Sequence, residues 1–268
     1  MPFVQNIVAG LGLGYLIACI ALFLMQDSIL FLPNEDKTPV EVSYQEYKLP
    51  LAKSGRIASR GYLVNAEAEG PVIVFFTGGF KEARTYIKLF NRLGYPAVIG
   101  NYRGFGKSDG HPSGRTLVRD AKLLIEWVRG EFPSRQVILM GYSMGSGVAI
   151  LASDEDVDGL ILVSPYRSLV HIGNQTPARF FPLRLIMRTK LDVRSQLDSL
   201  PERVLVLYST SDTIIPPEET RHVLERIPHA RVIEETRAHE QLLAYRETSE
   251  KISNWINSYF QVDVNDTN

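Results

Sequence analysis

Gln136-Val137-Ile138-Leu139-Met140-Gly141-Tyr142-Ser143-Met144-Gly145-Ser146-Gly147 is the stretch whose reading decides the fold. A short apolar run ends in Gly-Tyr-Ser-Met-Gly, and a small-residue segment able to start a helix follows at once. The Gly-x-Ser-x-Gly spacing carries meaning only in that strand–turn–helix context. There the serine occupies a strained turn that lifts its hydroxyl above the sheet edge. A Cβ at Gly141 or Gly145 would collide with the neighbouring strand or the turn. The backbone N–H of Met144 would point to the place where an oxyanion forms. Ser143 is therefore the candidate nucleophile.

Apolar runs of strand length flank this element on both sides. Pro71 to Phe76, Ala97-Val98-Ile99, Leu160 to Val163 and Val204 to Leu207 read as strands buried on both faces, with Val232-Ile233 a short last one. Helical patterns fall between them: Glu82 to Leu93 ending at Gly94, Thr116 to Arg129, the segment from the elbow to about Ser153, Glu218 to Arg226, and Leu242 to Phe260. In the second of these, Leu117, Ala121, Leu124, Ile125 and Val128 share one face. Val40, Val42 and Tyr44 alternate with polar residues, as in a half-buried strand, and another strand is expected near Gly61 to Asn65. Strands alternating with helices predict an α/β fold, a mostly parallel sheet with helices on both faces, over residues 38–260. The polar tail, 261–268, is expected to fray.

A chain of 268 residues suits one large domain, and 29 basic against 30 acidic residues give nothing that suggests nucleic acid. Cys19 is the only cysteine, which excludes an intrachain disulfide or a cysteine-based metal site. Phe3 to Met25 holds no charged residue and is long enough to cross ~30 Å of hydrocarbon as a helix. Residues 1–26 are accordingly expected to be a single-pass membrane anchor, joined by a short linker at 27–37. A cleaved signal peptide would want a basic start and a shorter apolar core. Leu16-Ile17-Ala18-Cys19 resembles a lipoprotein cleavage box, yet the apolar run continues through Leu24. Gly10 and Gly14 form a weak helix-pairing motif. No Lys or Arg precedes Lys37, so sidedness is unreadable.

A serine nucleophile needs a base and an acid to orient that base. Among five histidines, His239 alone sits in a turn-like break, between the last strand and the last helix, from which it could reach the elbow. Asp212 falls just past a buried strand, in Ser209-Thr210-Ser211-Asp212, giving the chain order nucleophile, acid, base. A second oxyanion donor should come from the loop after the Val72–Phe76 strand, where Gly79 is the choice and Phe80 its neighbour. Gly106-Lys107-Ser108 looks like the end of a phosphate-binding loop. The first glycine of that motif would be residue 101, which is Asn, so nucleotide binding is rejected.

Tyr102 to Ser108, the Gly-Tyr-Ser-Met-Gly elbow, Ser211 to Pro216 and Ala238-His239-Glu240 together resemble the serine aminopeptidase-like branch of the α/β-hydrolase superfamily, in particular its membrane-anchored members. The resemblance covers roughly residues 28–258. It implies Ser143, Asp212 and His239 as a triad, with the Met144 and Gly79 amides as the oxyanion hole. Thr77-Gly78 stands where relatives usually have His-Gly, and Ala238 where they often have Gly. The resemblance implies a serine hydrolase acting on carboxylic esters or thioesters of lipid or acyl-protein type, without cofactor or metal. Two other readings stand beside it: a serine peptidase of the same branch, which would need an acidic pocket, and a non-catalytic membrane scaffold. Residues 166–196 break the strand–helix rhythm where this fold carries a cap. Six basic residues there (Arg167, Arg179, Arg184, Arg188, Lys190 and Arg194) face one acid, Asp192, among Phe180, Phe181 and several aliphatic residues. That mixture suits anionic headgroups and an acyl chain. It suits a solvated basic face over an ordinary hydrophobic pocket equally well.

Overall fold

The computed structural model describes residues 2–32, 40–50, 57–154 and 156–260. The chain runs α1 (Pro2–Leu30), β1 (Gln45–Pro50), β2 (Ile57–Val64), β3 (Val72–Phe76), α2 (Ile87–Leu93), β4 (Ala97–Gly100), α3 (Gly114–Glu131), β5 (Val137–Tyr142) and α4 (Met144–Ala152). It continues through β6 (Gly159–Val163), α5 (Leu169–Asn174), α6 (Leu183–Ile186), β7 (Val204–Ser209), α7 (Pro217–Leu224), β8 (Arg231–Glu235) and α8 (Arg246–Tyr259). The sheet has eight strands in the order β1-β2-β4-β3-β5-β6-β7-β8. β2 lies antiparallel to both its neighbours, and β3 to β8 are parallel.

Alternation along the buried strands divides the core in two. Val72, Val74 and Phe76 of β3 join α3 and α4 residues such as Leu124, Val128, Val148 and Ala149 on one face. Ile73 and Phe75 join Ile87 and Phe90 of α2 and Ile252 and Trp255 of α8 on the other. A strand sandwiched between two apolar layers has no solvent face, which is why its sequence is continuously apolar.

Four expectations shift. The strand placed around Val40 to Tyr44 begins instead at Gln45, which pairs with Leu63. Its partner β2 ends at Val64, and Asn65 turns away with φ 53°, so residues before Gln45 have no ladder to join. Glu82 to Leu93 divides into a 3₁₀ turn at Ala83–Tyr86 and then α2, closed by Gly94 at φ 83°. The closing helix starts at Arg246, because Leu242 and Leu243 are buried in the core after a 3₁₀ turn at His239–Gln241. The apolar N-terminal helix is continuous to Leu30, past the expected anchor boundary. Residues 33–37 of the expected linker, and the tail 261–268, lie outside the described residues.

Candidate active site

All the candidate residues sit beyond the carboxyl ends of parallel strands, where loops from neighbouring strands converge. Ser143 follows β5 directly, with φ 54° and ψ −121°, a backbone conformation that costs of order 1–3 kcal/mol and must be imposed by its surroundings. Those surroundings are explicit. A Cβ on Gly145 would stand 2.0 Å from the Phe76 carbonyl oxygen, and one on Gly141 would stand 2.3 Å from the Gly145 carbonyl. Strand, turn and helix are thus in backbone contact, which only glycine permits. The Ser143 N–H donates to Val163 O at 2.8 Å, and its carbonyl accepts from the Ser146 amide and hydroxyl at 2.9 and 2.7 Å. Met144 is the first residue of α4, so its N–H lacks an intrahelical partner and lies at the positive end of the helix dipole.

Asp212, in the loop after β7, is buried and fully hydrogen-bonded. Its Oδ1 accepts from the Ile214 and Ile215 amides at 2.9 and 2.8 Å. Its Oδ2 accepts from the Ser164 hydroxyl at 2.9 Å and stands 2.6 Å from His239 Nδ1. Burial pushes the carboxyl pKa up, but the hydrogen bond and charge of His239, with the two amides, outweigh it and hold it below the ordinary value. The group is a carboxylate at neutral pH, an acceptor that keeps a proton on Nδ1 and leaves Nε2 free. His239 is buried and stacks on Tyr142, ring centroids 5.0 Å apart, while the Tyr142 hydroxyl donates to the His239 carbonyl at 3.0 Å. The residue before Ser143 therefore clamps the imidazole.

The Thr77-Gly78-Gly79 loop lies on the other side of the elbow. A Cβ on Gly78 would stand 3.6 Å from Ser143 Cβ, and one on Gly79 would stand 3.4 Å from Met144 Cε. The structure thus brings Asp212 and His239 into direct contact and sets Gly79 beside Met144 and Gly78 beside Ser143. No group of three or more His, Cys, Asp or Glu able to hold a metal occurs among the described residues.

Sequence reasoning missed the residues that hold these loops. Tyr102 donates its hydroxyl to the Thr77 carbonyl at 2.8 Å. Asn101 Oδ1 accepts from the Ala83 amide at 2.8 Å, and Arg103 pairs with Asp120. Tyr102, at the head of the Tyr-Arg-Gly-Phe-Gly-Lys-Ser segment, thus buttresses the Thr77-Gly78-Gly79 loop, which the segment's sequence does not signal by itself. Ser164, at φ 50°, carries the third bond to the Asp212 side chain. Tyr166 donates to the Met144 carbonyl at 3.3 Å.

Residues 68–183 match the family described as serine aminopeptidase, S33. Lysophosphatidylserine lipase ABHD12 of Danio rerio is 27% identical over 186 residues, 58% of this chain and 47% of its own length. An uncharacterized protein of Mycobacterium tuberculosis is 30% identical over 154 residues, 55% of this chain and 54% of its own. The chain spans about half the length of these relatives. Among solved structures, an esterase of Pyrococcus furiosus superposes with a TM-score of 0.69 at 16% identity, over 86% of this chain and 98% of the other. At that identity the likeness speaks for the fold.

Proposed function

We propose that this chain, similar over residues 68–183 to the serine aminopeptidase S33 family and in fold to a solved esterase, is a membrane-anchored serine hydrolase cleaving carboxylic esters or thioesters of lipid or acyl-protein type. Ser143 attacks the carbonyl carbon while His239 Nε2 takes the hydroxyl proton. Asp212 holds the imidazole in the reactive tautomer and stabilises the imidazolium. The Met144 and Gly79 N–H groups receive the oxyanion. His239 then gives its proton to the leaving alcohol or thiol. Water, activated by the same imidazole, hydrolyses the acyl-enzyme and restores Ser143. The observation that carries this reading is the His239 Nδ1 to Asp212 Oδ2 contact of 2.6 Å, beside a serine at φ 54°. A scaffold would have no need to maintain a strained serine and a buried, four-bonded carboxylate. The peptidase reading needs a free acid for the substrate amine, whereas Glu219, the buried acid beneath the cap, is paired with Arg167.

Anchoring rests on α1, whose stretch Phe3–Leu30 contains an 18-residue window with a mean hydropathy of 2.5 that is 6% buried. A fluorophosphonate probe tests the chemistry. Wild type should label, and Ser143→Ala and His239→Ala should not. Equal labelling of Ser143→Ala would remove Ser143 from the mechanism.

A further inference from the structure

α1 does more than leave the domain. Tyr15, Cys19, Leu22, Gln26 and Leu30 recur at helical spacing, and this stripe faces the cap. Tyr15 stacks on Phe181 with centroids 5.7 Å apart, and its hydroxyl donates to the Phe180 carbonyl at 2.9 Å. Buried Gln26 is used at both ends. Its Nε2 donates to Ile186 O at 3.1 Å, and its Oε1 accepts from the Arg188 amide at 2.6 Å. Arg188 pairs with Asp27 at 2.6 Å and lies over the Phe23 ring at 5.0 Å. A mere tether would need no buried glutamine bonded to two cap residues.

Between this stripe and the cap lies a cavity of about 230 Å³, walled by Leu22, Ile29 and Leu30 of α1 and by Leu169, Ile172 and Met187 opposite. A methylene occupies roughly the 30 Å³ of a liquid water, so the cavity holds about seven or eight of them. Leu30, which lines it, abuts the Gly79 loop. The Leu30 carbonyl oxygen would stand 2.7 Å from a Cβ on Gly79, and the Leu32 amide donates to Gly79 O at 3.2 Å.

The outer end of this packing is the Tyr15–Phe181 contact, where the proposed anchoring carries α1 into hydrocarbon. Phe180 and Leu185 there are 69% and 83% exposed, as a lipid-facing surface requires. Arg179 lies over the Phe180 ring at 5.0 Å, and Lys190 donates to Arg184 O at 2.9 Å, long basic side chains able to reach headgroups.

We propose that this cavity is the acyl-chain site, that α1 forms one of its walls, and that a membrane lipid's single acyl chain enters it sideways along α1. The proposal rests on the hydrolase reading above and names its substrate class. The test uses the full chain in phosphatidylcholine vesicles, comparing palmitoyl with butyryl esters. Leu22→Trp fills roughly two methylenes, each contributing about a fourfold factor, so the palmitoyl-to-butyryl ratio of kcat/KM should fall about 15-fold. Leu24→Trp, on the exposed face of α1, should leave that ratio within twofold. An unchanged ratio in Leu22→Trp overturns the proposal. A second readout needs no turnover: a diazirine-bearing palmitic acid in the vesicles should cross-link to 22–30 and Met187, and lose those sites in Leu22→Trp. Cross-links confined to the exposed face of α1 would overturn it as well. Cross-linking at the cavity in a wild type that hydrolyses no ester would support the acyl site while refuting the hydrolase chemistry.

Discussion

Asp212→Asn separates the chemistry of the site from its architecture. Oδ1 receives two backbone amides and Oδ2 faces Ser164 and His239 Nδ1, so the carboxylate's two oxygens are not equivalent. An introduced amide with nitrogen at the Oδ1 position would confront two N–H donors. Leaving those two donors unpaired would cost about 1–3 kcal/mol each, or roughly 2–6 together. The nitrogen must therefore take the Oδ2 position and donate toward His239 Nδ1. That holds the imidazole with its proton on Nε2, where it cannot accept the Ser143 proton. The fold, its backbone bonds intact, should melt within a few degrees of wild type. Turnover of a butyryl ester should fall about 10⁴-fold, which corresponds to ~5 kcal/mol of barrier. Turnover and fluorophosphonate labelling rate should fall together, and the His239 ¹⁵N shifts should report the exchanged tautomer. A folded Asp212→Asn variant with the wild-type tautomer, or with turnover within tenfold of wild type, would refute the reasoning.

Other outcomes follow from single contacts. Gly145→Ala should reduce stability by about 1–3 kcal/mol or more and abolish probe labelling, because the new methyl must displace the Phe76 carbonyl; thermal melting and labelling check both. Tyr102→Phe strips the Thr77 carbonyl of its buried donor. It should cost about 1–3 kcal/mol in melting and lower kcat more than it raises KM, since in the proposed mechanism the loop it steadies acts on the transition state. Glu219 is raised by burial, but the Arg167 hydrogen bond and charge outweigh this and hold its pKa below the ordinary 4.5. Its contribution to stability is therefore complete above pH 4.5 and lost as pH falls through the lower folded value. The melting gap between wild type and Glu219→Gln should be widest at neutral pH and shrink on acidification; a constant gap across that range would count against the pairing.

The sequence by itself determined what depends on neighbours in the chain. A tight strand–turn–helix is a local steric arrangement, so Gly141-Tyr142-Ser143-Met144-Gly145 announces it, and strands buried on both faces announce themselves as apolar runs. Asp212 and His239, which the structure sets 2.6 Å apart, could be singled out because each stands in a break just after a strand. What depends on distant partners was not legible. Alternation at Val40 to Tyr44 looked like a strand, but a strand needs a ladder, and β2 had already turned away at Asn65. Tyr102, Ser164 and Tyr142 are ordinary residues in sequence, and only the converging loops give them Thr77, Asp212 and His239 as partners. The stripe from Tyr15 to Leu30 was hidden for a different reason. In a helix apolar on every side, hydrophobic periodicity carries no signal, so the face that meets the cap is chosen by tertiary packing alone.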